Sequence, residues 1–106
     1  MGGVPRATVE PASALPALAR ALDDPDVSVK SAALEFLVTL REPEVFQLLD
    51  RTLRDSNPTI RLAAVQLLGR RGDDESVALI RTALSDGNAA VRAAAADLIS
   101  RREKGG

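Results

Sequence analysis

Asp55-Ser56-Asn57-Pro58-Thr59-Ile60-Arg61-Leu62-Ala63-Ala64 lies near the middle of the chain, and its pattern is repeated on both sides at a distance of 31 residues. Before it stands Asp24…Val29-Lys30-Ser31-Ala32-Ala33, and after it Asp86…Val91-Arg92-Ala93-Ala94-Ala95. Leu22, Leu53 and Leu84 keep the same register, with no insertion or deletion between copies. A period of this length is a structural unit that cannot bury its apolar side alone and has to stack on copies of itself.

Within each unit the apolar residues fall at the helical period. A first helix is predicted over about 12–23, with Leu15, Leu18, Ala19 and Leu22 on one face. Its equivalents cover about 43–54 (Phe46, Leu49, Leu53) and about 74–85 (Val77, Ile80, Leu84). Asp26, Asn57 and Asn88 then open second helices over about 27–40, 58–70 and 89–102, because their side chains accept the free N–H groups of a first turn. Pro58 takes the preferred first helical position. The predicted inward stripes are Val29-Ala32-Ala33-Phe36-Leu37, Ile60-Ala63-Ala64-Leu67-Leu68 and Val91-Ala94-Ala95-Leu98-Ile99. The paired alanines let neighbouring helix axes come close. Pro43 and Gly72 punctuate the unit boundaries.

The expected fold is therefore all-α, an α-solenoid of three antiparallel helix pairs. Residues 1–11 are expected to form a flexible lead-in, because Gly2, Gly3 and Pro5 interrupt regular structure. Residues 12–106 are expected to form one domain of repeats at about 12–42, 43–73 and 74–104, which suits a length of 106 residues.

Composition narrows the chemistry. Hydrophobic residues make up 45% of the chain but aromatics only 2%, so the core has to be aliphatic. With no His and no Cys, the chain has no disulfide, no Cys–His or Ser–His pair and no zinc site of ordinary type. Asp23, Asp24 and Asp26 cluster at one turn, and Asp73, Asp74 and Glu75 at another. The repeats do not share the full cluster, and helix N-termini attract acids in any case. No metal or cofactor is expected.

The net charge of −1 offers no basic field for nucleic acid. Charge is nevertheless uneven, with net −4 over residues 1–50 and net +3 over residues 51–106. No stretch is long and apolar enough to cross a membrane, and the N-terminus lacks a signal-type apolar run. The expected compartment is the cytoplasm.

The order of an acid, an apolar residue five positions on, a base six positions on and then Ala-Ala resembles the HEAT repeat. The short period is similar to the variety called phycobilisome-lyase-type. The resemblance covers about residues 12–102 and implies scaffolding, assembly or regulation, with chromophore-lyase and DNA-binding members as lesser alternatives.

It also implies that Asp24, Lys30, Asp55, Arg61, Asp86 and Arg92 form a structural ladder within and between repeats. By the same resemblance the second helices line the concave side. Leu34, Glu35, Val38, Leu62, Val65, Gln66, Arg70, Asp97 and Arg101 are then the expected protein-binding residues. Leu34, Val38, Leu62 and Val65 are expected to make an apolar patch with a polar rim. Arg70-Arg71 and Arg101-Arg102 each end a second helix, where cations favour the helix dipole or form a basic edge for an acidic segment. The expected partner is another protein or peptide. The alternative is association between copies through the solenoid ends, since an uncapped repeat array exposes apolar edges.

Overall fold

In the computed structural model, which describes residues 14–105, regular structure is entirely helical. The elements are α1 (Leu15–Ala21), α2 (Val27–Leu37), α3 (Val45–Thr52), α4 (Pro58–Arg71), α5 (Asp74–Thr82) and α6 (Ala89–Gly105), with a 3-10 turn at Ala83–Ser85. The expected lead-in lies outside the described residues.

The helices pack as three successive pairs, α1 on α2, α3 on α4 and α5 on α6. The second helices form one layer in the order α2, α4, α6, while α3 meets α5 in the other layer. This is the α-solenoid expected from the 31-residue register.

The helix boundaries have local causes. The side chain of Asp26 accepts the Ser28 amide, Asn57 accepts the Thr59 amide, and Asn88 accepts the amides of Ala90 and Val91. Each such cap is worth about 1 kcal/mol. Two positions earlier, Asp24, Asp55 and Asp86 each accept the amide of the capping residue through Oδ1, at 2.8 Å in all three repeats. The turn between first and second helix is thus built three times over from the same two side chains. At the end of α4, Gly72 adopts φ +72°, the left-handed conformation that closes a helix. Asp73 then caps α5 through the Ser76 amide.

The core runs through all three pairs, with Leu37, Leu49, Ile60, Leu68, Val45 and Val91 among its fully buried side chains. The central stripe of α4 faces inward as expected: Ile60, Ala64, Leu67 and Leu68 are buried. The first stripe does so only in part. Ala33 and Leu37 are buried, but Val29, Ala32 and Phe36 are exposed. At the equivalent positions Val29, Ile60 and Val91 are 37%, 1% and 0% exposed. These residues look back toward the preceding pair, and α2 has no such pair before it among the described residues. Leu84 shows the converse. It is exposed where its counterparts Leu22 and Leu53 are buried, because it looks forward and no fourth pair follows among the described residues.

Candidate protein-binding surface

The polar ladder defines which way each second helix faces. The Lys30 ammonium donates to Asp55 Oδ2 at 2.7 Å. Arg61 donates to Asp86 through Nε at 2.9 Å and Nη2 at 3.2 Å. Each base therefore grips the acid of the following repeat, 25 residues on. Toward its own acid Arg61 donates only to the Asp55 backbone carbonyl, and Arg92 likewise to that of Asp86. The ladder thus runs through backbone carbonyls within a repeat and through carboxylates between repeats.

These ties set the electrostatics. Burial pushes the Asp55 carboxyl up. The hydrogen bonds from Lys30 and the Asn57 amide, with the Lys30 and Arg61 charges, outweigh it and hold Asp55 below the usual carboxylate range. For Asp86 the Arg61 hydrogen bond dominates, against partial burial, and the result is again a lowered value.

Helical spacing then corrects the expected apolar patch. Leu34 lies four residues after Lys30, and Val65 four after Arg61, so both share the forward face with the base that precedes them. Both are fully buried in the junction with the next repeat. They are core residues and are not available to a partner. Val38 and Leu62 flank that junction and are half-buried. The third member of the row, Ala96, is exposed, as its place on the last described pair requires.

The face of the second-helix layer turned away from α1, α3 and α5 is instead polar. Glu35, Gln66 and Asp97 form one exposed row along it. Thr39, Arg70 and Arg101 form a second exposed row one turn on. The Arg101 guanidinium is engaged by Asp97, its neighbour on the same helix face. Arg41 and Arg70 are exposed and hold no carboxylate among the described residues. They border an open depression of about 490 Å³ lined by Glu35, Val38, Thr39, Arg41, Arg70, Arg71 and Asp73.

Arg71, expected as a dipole-favoured or edge cation, is in fact a staple. Its side chain is 8% exposed. Nη1 donates to the carbonyls of Val38 at 2.8 Å and Leu40 at 2.7 Å, satisfying the open end of α2. Nη2 reaches Asp73 and Nε reaches Ser76, while the guanidinium lies 4.8 Å from the Phe46 ring centroid. One planar cation so joins elements of all three pairs, which an ammonium could not do. Burial raises the Asp73 carboxyl, but Ser76 and Arg71 bring it below its ordinary value. Arg102 repeats the motif in exposed form, donating to the Gly72 carbonyl and to Asp74. The recurrence of Arg at 71 and 102 was visible in the sequence. The distinction between a buried staple and an exposed one was not.

Among the described residues no group of His, Cys, Asp or Glu is arranged to hold a metal ion, and no helix is long and apolar enough to cross a membrane.

The fold defines an α-solenoid of short helix pairs tied by an acid–base ladder. The family described as HEAT repeats matches residues 47–104, and the chain belongs to it. Residues 15–37 match a second description, HEAT repeat associated with sister chromatid cohesion. No curated protein matches the chain.

Proposed function

We propose that this chain is a non-enzymatic interaction module of the short, phycobilisome-lyase-type HEAT variety. It takes a protein or peptide partner along the polar outer face of α2, α4 and α6, which the family resemblance makes the concave side. The observation that carries this reading is the pair of uncommitted guanidinium groups, Arg41 and Arg70, beside the 490 Å³ depression. Two such groups, next to the half-buried apolar Val38, suit an acidic side chain or chain terminus on an extended segment. Glu35, Gln66 and Asp97 continue the surface with mixed polarity, which favours specific hydrogen bonding over broad apolar adhesion. Helices hold Glu35, Gln66, Arg70 and Asp97 in place, while Arg41 sits in the short connection after α2, so little ordering cost falls on the module when it binds. HEAT repeats are commonly interaction scaffolds, in keeping with a chain that has neither His nor Cys. The reading includes one repeat domain over residues 12–106, a cytoplasmic setting, no cofactor and no nucleic-acid ligand.

The test is site-specific photocrosslinking in cells of the source organism. A photoreactive residue at Glu35 or Gln66 is expected to capture a partner that Gln47 and Ala78, exposed on the other layer, do not capture. Arg41→Gln/Arg70→Gln is expected to abolish capture while lowering stability by no more than about 1 kcal/mol. Capture through Gln47 or Ala78 alone sinks the reading.

A further inference from the structure

The two ends of the described solenoid carry complementary halves of its own internal junction. At each internal junction a base on the leading repeat fills an acid on the next: Lys30 to Asp55, and Arg61 to Asp86. The series leaves one acid and one base over. Asp24 uses Oδ1 to accept the Asp26 amide, as Asp55 and Asp86 do for their own caps, but no base reaches it among the described residues. Arg92 makes the same backbone bond as Arg61, through Nη1. Its Nε and Nη2, the atoms with which Arg61 grips the next acid, hold nothing among the described residues.

The apolar surfaces complement each other in the same way. The backward face of α2 exposes Val29, Ala32 and Phe36, forming a shallow apolar surface with Ala17 and Ala21. Of their counterparts, Ile60, Leu67 and Val91 are buried and Ala63, Ala94 and Leu98 are half-buried. At the α4–α6 junction, Leu98 packs so closely on Gly69 that an added Cβ there would stand 2.7 Å from a Leu98 methyl. Phe36 is the equivalent of Leu98, and Ser100 is the equivalent of Gly69. The largest residue of the backward row thus has the small Ser100 and Ala96 as its counterparts on the exposed forward face of α6.

We infer that the first repeat of one molecule accepts the last repeat of a second copy, head to tail. Arg92 of one copy bonds Asp24 of the next, and Phe36 seats over Ala96 and Ser100. The contact joins two different surfaces, so it does not close on itself in a pair and allows further copies to add. It is independent of the concave-face reading, since none of these residues lines that depression.

Sedimentation velocity over a concentration series tests it, using the wild type, Phe36→Glu and Ala96→Glu. Both positions are exposed, so the variants are expected to keep the wild-type circular dichroism spectrum, and the wild-type melt at concentrations too low for association. The wild-type mass is expected to rise above the 11.2 kDa of one chain, while each variant stays at that mass. An equimolar mixture of the variants keeps one intact forward face and one intact backward face, and is expected to give a two-chain species. Arg92→Gln is expected to weaken wild-type association several-fold at low salt, with less effect at high salt. A wild type fixed at one chain throughout overturns the inference, as does association that survives both variants or fails to return on mixing.

Discussion

The first and second repeats have closely similar patterns but contrasting environments. Ile60 and Leu67 are buried, whereas Val29 and Phe36, their counterparts 31 residues earlier, are 37% and 50% exposed. Residue type does not explain the contrast, since Phe is larger and Val nearly as apolar. Neighbours do: α4 is flanked by α2 and α6, while among the described residues α2 has only α4 beside it in the second-helix layer. In a solenoid, the worth of a side chain depends on whether the next unit is present to cover it.

The widest expected separation is at the backward row. Ile60→Ala should cost about 2–4 kcal/mol, since it removes a fully buried side chain and leaves a cavity. Val29→Ala should cost under about 1 kcal/mol. Urea titrations of the two variants read the difference directly. Equal losses, measured at a concentration too low for copies to associate, would show that the neighbouring pair does not set the contrast.

The staples come next. Arg71→Ala strands the carbonyls of Val38 and Leu40 and the Asp73 carboxylate, and should cost about 2–3 kcal/mol. Arg102→Ala loses exposed contacts only and should stay within about 1 kcal/mol. Arg71→Lys is expected to recover little of the loss, because one ammonium cannot hold two carbonyls and a carboxylate together. Thermal melts of the three variants test this ranking.

The ladder sharpens the comparison at smaller scale. Asp55→Ala removes both the Asn57 turn bond and the tie from Lys30, for about 1–3 kcal/mol. Asp24→Ala removes, among the described residues, only the turn bond to Asp26, for about 0.5–1 kcal/mol. Identical melting shifts would show that the inter-repeat ties add nothing.

The smallest effect is the pH dependence. The carboxyls of Asp26, Asp55, Asp73 and Asp86 are all held below their ordinary value by the hydrogen bonds they accept. A lowered folded value gives stability that is complete above the unfolded value and is lost as pH falls through the folded one. Stability should therefore hold level from neutral pH down to about 5 and fall progressively below about 4. Asp55→Asn/Asp86→Asn should flatten that fall, and a wild type whose stability is unchanged at pH 3 would contradict it.

The repeat register, the helix pairs, the caps at Asp26, Asn57 and Asn88 and the family were all legible in the sequence, because each rests on spacing or on a side chain acting within a few residues. The candidate surface was legible only in part. Glu35, Gln66, Arg70, Asp97 and Arg101 are exposed on one face, as the helical period requires. Leu34 and Val65, expected on the apolar patch, are core residues instead, although their four-residue spacing from Lys30 and Arg61 stands in the sequence. What was missing was the direction in which those bases reach.

That direction is a property of how one pair docks on the next. Periodicity says which residues share a face of a helix. Only the packed helices decide whether that face meets the partner helix, the following repeat or water. For the same reason Arg71 is a buried tie while Arg102, in the same register, is half-exposed. The same docking leaves Asp24 and Arg92 at opposite ends of the described solenoid, each without, among the described residues, the partner that its equivalents have.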